Sequence, residues 1–222
     1  MRNSFLILSA LLIFLNAIAF QGVDPIIIIK KFITYNKKRQ ELSLEYLKLR
    51  HGLNKSTPTI EPKIIVLHYT AGGTLESNFR YFDKTEIEES RTVISGQSNL
   101  NVSSHYLIDR DGRIYQLMDD HMFARHVIGL NYCAIGIENV GGKEAPLTEK
   151  QVVANIQLVR HLKNKFPAIE YLIGHSEYIQ FRNHALWKET NDNYITYKSD
   201  PGDAFMRKVR EGLKELQLRS KP

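Results

Sequence analysis

The chain predicts an α/β domain built on a central mixed β-sheet flanked by helices. Two observations carry that expectation. Short apolar runs rich in β-branched residues interleave with segments whose apolar residues recur at helical spacing. Three of those runs also stop at an ionisable residue beside a loop, the place where a rigid sheet presents side chains to a ligand. With 222 residues and 43% hydrophobic content, the chain suffices for one well-packed domain, assigned to residues 59–222 and preceded by an N-terminal helical extension over 20–58.

The N-terminal stretch MRNSFLILSALLIFLNAIAF has Arg2, an apolar run from Phe5 to Leu15 and a small-x-small Ala17-Ile18-Ala19. That is the layout of a signal peptide over 1–19, cleaved after Ala19, and it predicts export to the periplasm or outside a bacterial cell. An uncleaved anchor is the alternative, but the run falls short of the ~20 residues a spanning helix needs. In YNKKRQELSLEYLKLRHG, Leu42, Leu44, Leu47 and Leu49 lie among charges before Gly52, which reads as a helix with its stop signal. The polar, proline-punctuated 53–62 is a connector.

From Lys63 the elements follow in order. KIIVLHYTAGG is a buried strand ending at His68, and YCAIGIENVGG is another, ending at Glu138. Between them SSHYLIDRDGRIYQLM reads as a hairpin turning at Asp109-Arg110-Asp111-Gly112. TEKQVVANIQLVRHLKNKFP opens with a capping box of Thr148 and Gln151, carries Val152, Ile156, Val159 and Leu162 inward, and closes at Pro167. AIEYLIGHSEY is a third strand, ending at His175. A last helix is expected over 203–216, with Phe205, Met206, Val209, Leu213 and Leu216 inward.

Composition narrows the chemistry. Cys133 is the only cysteine, so no internal disulfide forms, and its apolar surroundings suit a buried small residue better than a nucleophile. The formal charge of +6 favours polyanionic partners such as a carboxylate-bearing cell wall. No arginine-rich run interleaved with aromatics points to nucleic acid.

In YKSDPGDAF, Pro201 disfavours the helical region for Asp200, so the chain before it is extended and Lys198 and Asp200 leave on one side, with Ser199 turned away. Two neutral imidazoles and a carboxylate suit a catalytic Zn²⁺ with one position open, which makes His68, His175 and Asp200 the expected ligands. His184 is an alternative third ligand. Glu138 then stands beside the metal as proton acceptor for an attacking water, and Lys198 faces the oxyanion that forms. His105, alternating with apolar residues, reads as structural.

The ordered segments VLHYTAGG, SSHYLIDRDGRIYQL, ARHVIGLN, AIGIENVGG, GHSEY and KSDPGDAF resemble those of the zinc-dependent N-acetylmuramoyl-L-alanine amidases. That family includes the AmpD and AmiD enzymes and shares its fold with phage lysozyme-type amidases and peptidoglycan recognition proteins. The resemblance covers roughly 63–206. It implies hydrolysis of the amide joining N-acetylmuramic acid to the L-alanine of a peptidoglycan stem peptide, with intact wall or muropeptides as substrate. It places the zinc ligands on His68, His175 and Asp200, the catalytic glutamate on Glu138 and the oxyanion-stabilising lysine on Lys198. It further implies substrate contacts from ARHVIGLN at His126 and Asn131. Two departures stand out. Residues 176–197, with Trp187 and three tyrosines, replace a short loop and suggest an added groove wall in which Trp187 meets substrate; a loop packed on its own aromatics is the alternative. Ser104 stands where some phage members carry a tyrosine. A non-catalytic recognition module of the same fold is the competing reading.

Overall fold

A computed structural model describes residues 26–222; the expected leader peptide over 1–19 lies outside them. The elements in chain order are β1 (Ile28–Lys30), α1 (Lys37–His51), β2 (Ile64–Tyr69), α2 (Leu75–Asp83), α3 (Thr92–Ser95), β3 (Tyr106–Ile108), β4 (Ile114–Gln116), β5 (Ala134–Asn139), α4 (Glu149–Lys165), β6 (Tyr171–Gly174) and α5 (Asp203–Glu211). The six strands form one sheet in the order β1-β4-β3-β5-β2-β6. Only β3 and β4, the two arms of the expected hairpin, pair antiparallel; every other pair is parallel. The sheet is mixed, as the sequence predicts.

Strand alternation divides the central strands between two faces. Ile65 and Leu67 of β2, Ile135 and Ile137 of β5 and Leu172 of β6 pack with α4 and α5 in the main core, through Leu158, Leu162, Met206 and Val209. Ile64, Val66 and Ile173 face a second cluster with Val127, Leu130, Tyr178 and Phe181. The capping box of Thr148 and Gln151 starts α4 as expected.

Three features differ from expectation. The helix over 203–216 stops at Glu211, and a short 3-10 turn, Lys214–Leu216, follows Gly212. β1, α2 and α3 were not foreseen. And residues 28–51 are not an appendage: β1 pairs with β4, while Leu42, Tyr46 and Leu47 of α1 belong to the main core. The buried stripe of α1 runs through Arg39, Leu42, Ser43, Tyr46 and Leu47, leaving Leu49 exposed. Arg39 explains why a charged residue sits on that stripe. Its Nη2 donates to the carbonyls of Phe82, Asp83 and Lys84 at 3.1, 3.0 and 2.9 Å, capping the end of α2.

Candidate active site

β2, β5 and β6 run parallel and in register, so their side chains on one face form rows. Ile64, Val66 and His68 make the β2 row; Ala134, Gly136 and Glu138 the β5 row, with His68 directly opposite Glu138. Ile173 lies opposite Val66, and two residues on His175 opens a 3-10 turn, His175–Phe181, beside His68. Periodicity alone thus brings three ionisable groups to the carboxyl end of three adjacent strands.

Asp200 completes the group. His68 Nδ1 lies 2.9 Å from His175 Nδ1, His175 Nδ1 lies 3.0 Å from Asp200 Oδ2, and His68 Nδ1 lies 3.3 Å from the same oxygen. All three residues are buried. Lys198 borders the same cleft of about 270 Å³ as Asp200, whereas Ser199 turns away and bonds Tyr69 Oη at 3.2 Å. His184, the alternative ligand, lies elsewhere, its ring against Tyr171 and Phe181.

The proton positions follow from the outer contacts. His126 Nε2 lies 3.1 Å from the Ala134 carbonyl, which only accepts, so that nitrogen carries the proton. Burial, then the His68 and His105 rings, hold His126 well below the ordinary histidine range, so it is neutral and its Nδ1 is an acceptor. His68 Nε2, 3.1 Å away, therefore donates to it, and His68 Nδ1 is left with a bare lone pair aimed at His175 and Asp200. The Asp200 oxygen stands 3.3 Å from that nitrogen, on the same side as His175 Nδ1. A cation fits such a donor set, and the three atoms are within reach of one ion.

Electrostatics supply the remaining conditions. Burial, reinforced by His68, lowers His175 to about 4, so its imidazole is neutral at pH 7. Burial opposes ionisation of Asp200, but its contacts with His175 and His68 outweigh that and hold it well below the usual carboxylate range. Burial raises Glu138 to about 7, His68 opposing and Asp200 assisting. Its Oε2 is buried without a hydrogen-bond partner, an acceptor left free beside the cluster.

Of the three expected substrate contacts, His126 and Asn131 border the cleft and Trp187 does not. His126 borders the cleft, but both its ring nitrogens are engaged, as just described. Asn131 Oδ1 accepts from the backbone N–H of His126 and Val127 at 2.8 and 2.7 Å, fixing that turn. Trp187 stacks on Tyr178 at 6.0 Å, and a Cβ on Gly129, where φ is +76°, would stand 2.6 Å from its ring, so it packs against the turn rather than lining the cleft. Tyr194 and Thr196 of the same loop do border the cleft. His105 is structural: the Gly136 N–H donates to its Nδ1 at 3.0 Å and its Nε2 donates to Met122 O at 2.9 Å. Sequence reasoning missed Arg91 and Arg125, which also border the cleft; only Arg125 had a signal, its place next to His126.

The chain is similar in fold to N-acetylmuramoyl-L-alanine amidase LysC from Clostridium intestinale URNW, at 20% identity and a TM-score of 0.53, over 86% of this chain and 99% of that one. It is similar too to the Ph2119 endolysin from Thermus scotoductus MAT2119 bacteriophage Ph2119, at 19% identity and a TM-score of 0.52, again over 86% and 99%. No curated protein sequence matches it. The N-acetylmuramoyl-L-alanine amidase family, designated Amidase_2, matches residues 58–203, a span that contains His68, Glu138, His175, Lys198 and Asp200 together. The chain belongs to that family.

Proposed function

We propose that this chain is an exported zinc hydrolase that cuts the amide between N-acetylmuramic acid and the L-alanine of peptidoglycan stem peptides. The observation that carries the reading is the buried convergence of His68 Nδ1, His175 Nδ1 and Asp200 Oδ2 within reach of one ion, with the unpartnered Glu138 Oε2 beside it. Zinc held by those three atoms would supply a Lewis acid for the scissile carbonyl and would acidify a water toward a pKa of ~7.

The chain's own groups do the rest. Glu138 Oε2 accepts the proton of the attacking water as the new C–O bond forms, and returns it to the amide nitrogen as the C–N bond breaks. Burial pushes that carboxyl up and a bound dication would pull it back down, which suits a group that must both take a proton and return it. The Lys198 ammonium, bordering the same cleft, faces the negative charge that builds on the carbonyl oxygen. His126 holds the tautomer of His68, and Asn131 holds the backbone of His126. The apolar N-terminal run with its small-x-small motif supports export.

Product analysis tests the reading. Protein with zinc, and with chelator, is incubated with peptidoglycan and defined muropeptides and the products are weighed by mass spectrometry. A free stem peptide beginning at L-alanine is expected, absent with chelator and absent for Glu138→Ala. Binding without cleavage in every zinc condition would instead make the chain a recognition module.

A further inference from the structure

From Trp187 to Gly202 the chain forms neither helix nor strand, yet this stretch carries Lys198 and Asp200. Asp200 is held from the far side, by His175 and by the Ser176 N–H donating to its carbonyl at 3.0 Å. Lys198 has no such hold: among the described residues its ammonium makes no hydrogen bond or ion pair. Its position is therefore inherited from the backbone leading to it, and that backbone is tied to α1, an element outside the matched span of 58–203.

The ties are specific. Arg50 Nη2 pairs with Glu189 Oε1, and the two side chains are only 11% and 1% exposed. The same Oε1 accepts the Asn191 N–H at 2.9 Å, bending the chain at that point. The Arg50 guanidinium lies 5.1 Å from the centre of the Tyr194 ring, and Tyr194 Oη accepts from Arg125 Nη2 at 3.3 Å. Either side of the pair, Thr190 N donates to Arg50 O at 3.0 Å, and His51 Nδ1 donates to Lys188 O at 2.8 Å. Further along, Tyr178 Oη donates to Thr196 O and accepts from Thr196 N at 2.8 and 2.9 Å. A buried ion pair contributes little net stability compared with apolar packing, but it fixes one register of the two segments it joins.

Building on the hydrolase reading above, we propose that Arg50 of α1 and Glu189 of the inserted loop are positioning residues for Lys198. The pair sets the course of residues 188–196 and so aims an ammonium that has no anchor of its own.

The test uses the full zinc-loaded chain and a defined muropeptide. Glu189→Gln keeps the shape and removes the charge, and kcat should fall about tenfold with KM unchanged. In a Lys198→Ala background the same substitution should produce no further fall, because its effect runs through that ammonium. Arg50→Lys, which keeps the charge but loses the planar fork, should show a smaller loss with the same background dependence. Zinc content should stay at the wild-type value. Independently of activity, hydrogen exchange at the amides of 194–198 should quicken in Glu189→Gln. Equal losses in both backgrounds, or unchanged exchange, would overturn the proposal. If the wild type hydrolyses no muropeptide, the hydrolase reading falls while the exchange measurement still decides whether the pair holds this segment.

Discussion

His126 borders the cleft and also stands behind His68, which shapes what its loss would do. Without it, His68 Nε2 has no acceptor, and the imidazole is free to put its proton on Nδ1, where the ligand lone pair belongs. His126→Ala should weaken zinc binding about 10- to 100-fold, measured by competition with a chromophoric chelator; unchanged affinity would contradict the relay. Glu138 makes a second prediction at this scale. Burial raises it to about 7, so the folded chain prefers its protonated form and loses stability as pH rises between about 4.5 and 7. Metal-free Glu138→Gln should therefore melt higher than wild type at pH 8, by at most roughly 3 kcal/mol, and equally at pH 4. A bound dication lowers the same carboxyl, so the acid limb of the wild-type kcat profile should lie at or below pH 7, with activity falling on acidification. The grouping of His68, Glu138 and His175 was legible in the sequence because the strand period of two carries its own geometry, and that of Asp200 because Pro201 extends the chain before it. Trp187 was misread because a motif's neighbourhood does not say against what a ring already packs, and for His126 and Asn131 it does not say which atoms are already engaged.

The strands announced themselves through β-branched runs, the hairpin through Asp111-Gly112 and α4 through its capping box. The N-terminal elements were harder for a physical reason. β1 is three residues long and follows an apolar stretch that reads as a leader, which masks it. α1 buries Arg39, Ser43 and Tyr46 alongside Leu42 and Leu47, so counting leucines finds the helix but not its inner face. What that face contributes is sizeable. Burying Leu42, Tyr46 and Leu47 supplies roughly 1.5–3 kcal/mol each, comparable in sum with the ~5–15 kcal/mol that holds a whole domain together. A chain that keeps the span from residue 58 to the C-terminus, α5 included, should accordingly lose its cooperative melt and bind a hydrophobic dye such as ANS. A sharp transition with no dye binding would show that the span folds without α1.

Across the whole molecule, chemistry gathers where the carboxyl ends of β2, β5 and β6 meet the loop that α1 holds in place, as open sheets with parallel strands favour. Among the described residues no helix is long and apolar enough to cross a membrane. The five strands β2 to β6 inside the matched span were readable, whereas the union of α1 with the 176–197 loop was not, since both lie in stretches without strong periodicity and meet only in three dimensions. Cys133 offers a last, practical consequence. It is 1% exposed, and burial pushes its thiol up to about 12, so maleimide chemistry passes it by. The native chain is thus a ready background for single-site fluorescence: Tyr197, 92% exposed and adjacent to Lys198, could be exchanged for a cysteine and labelled alone, turning the catalytic wall into its own optical reporter.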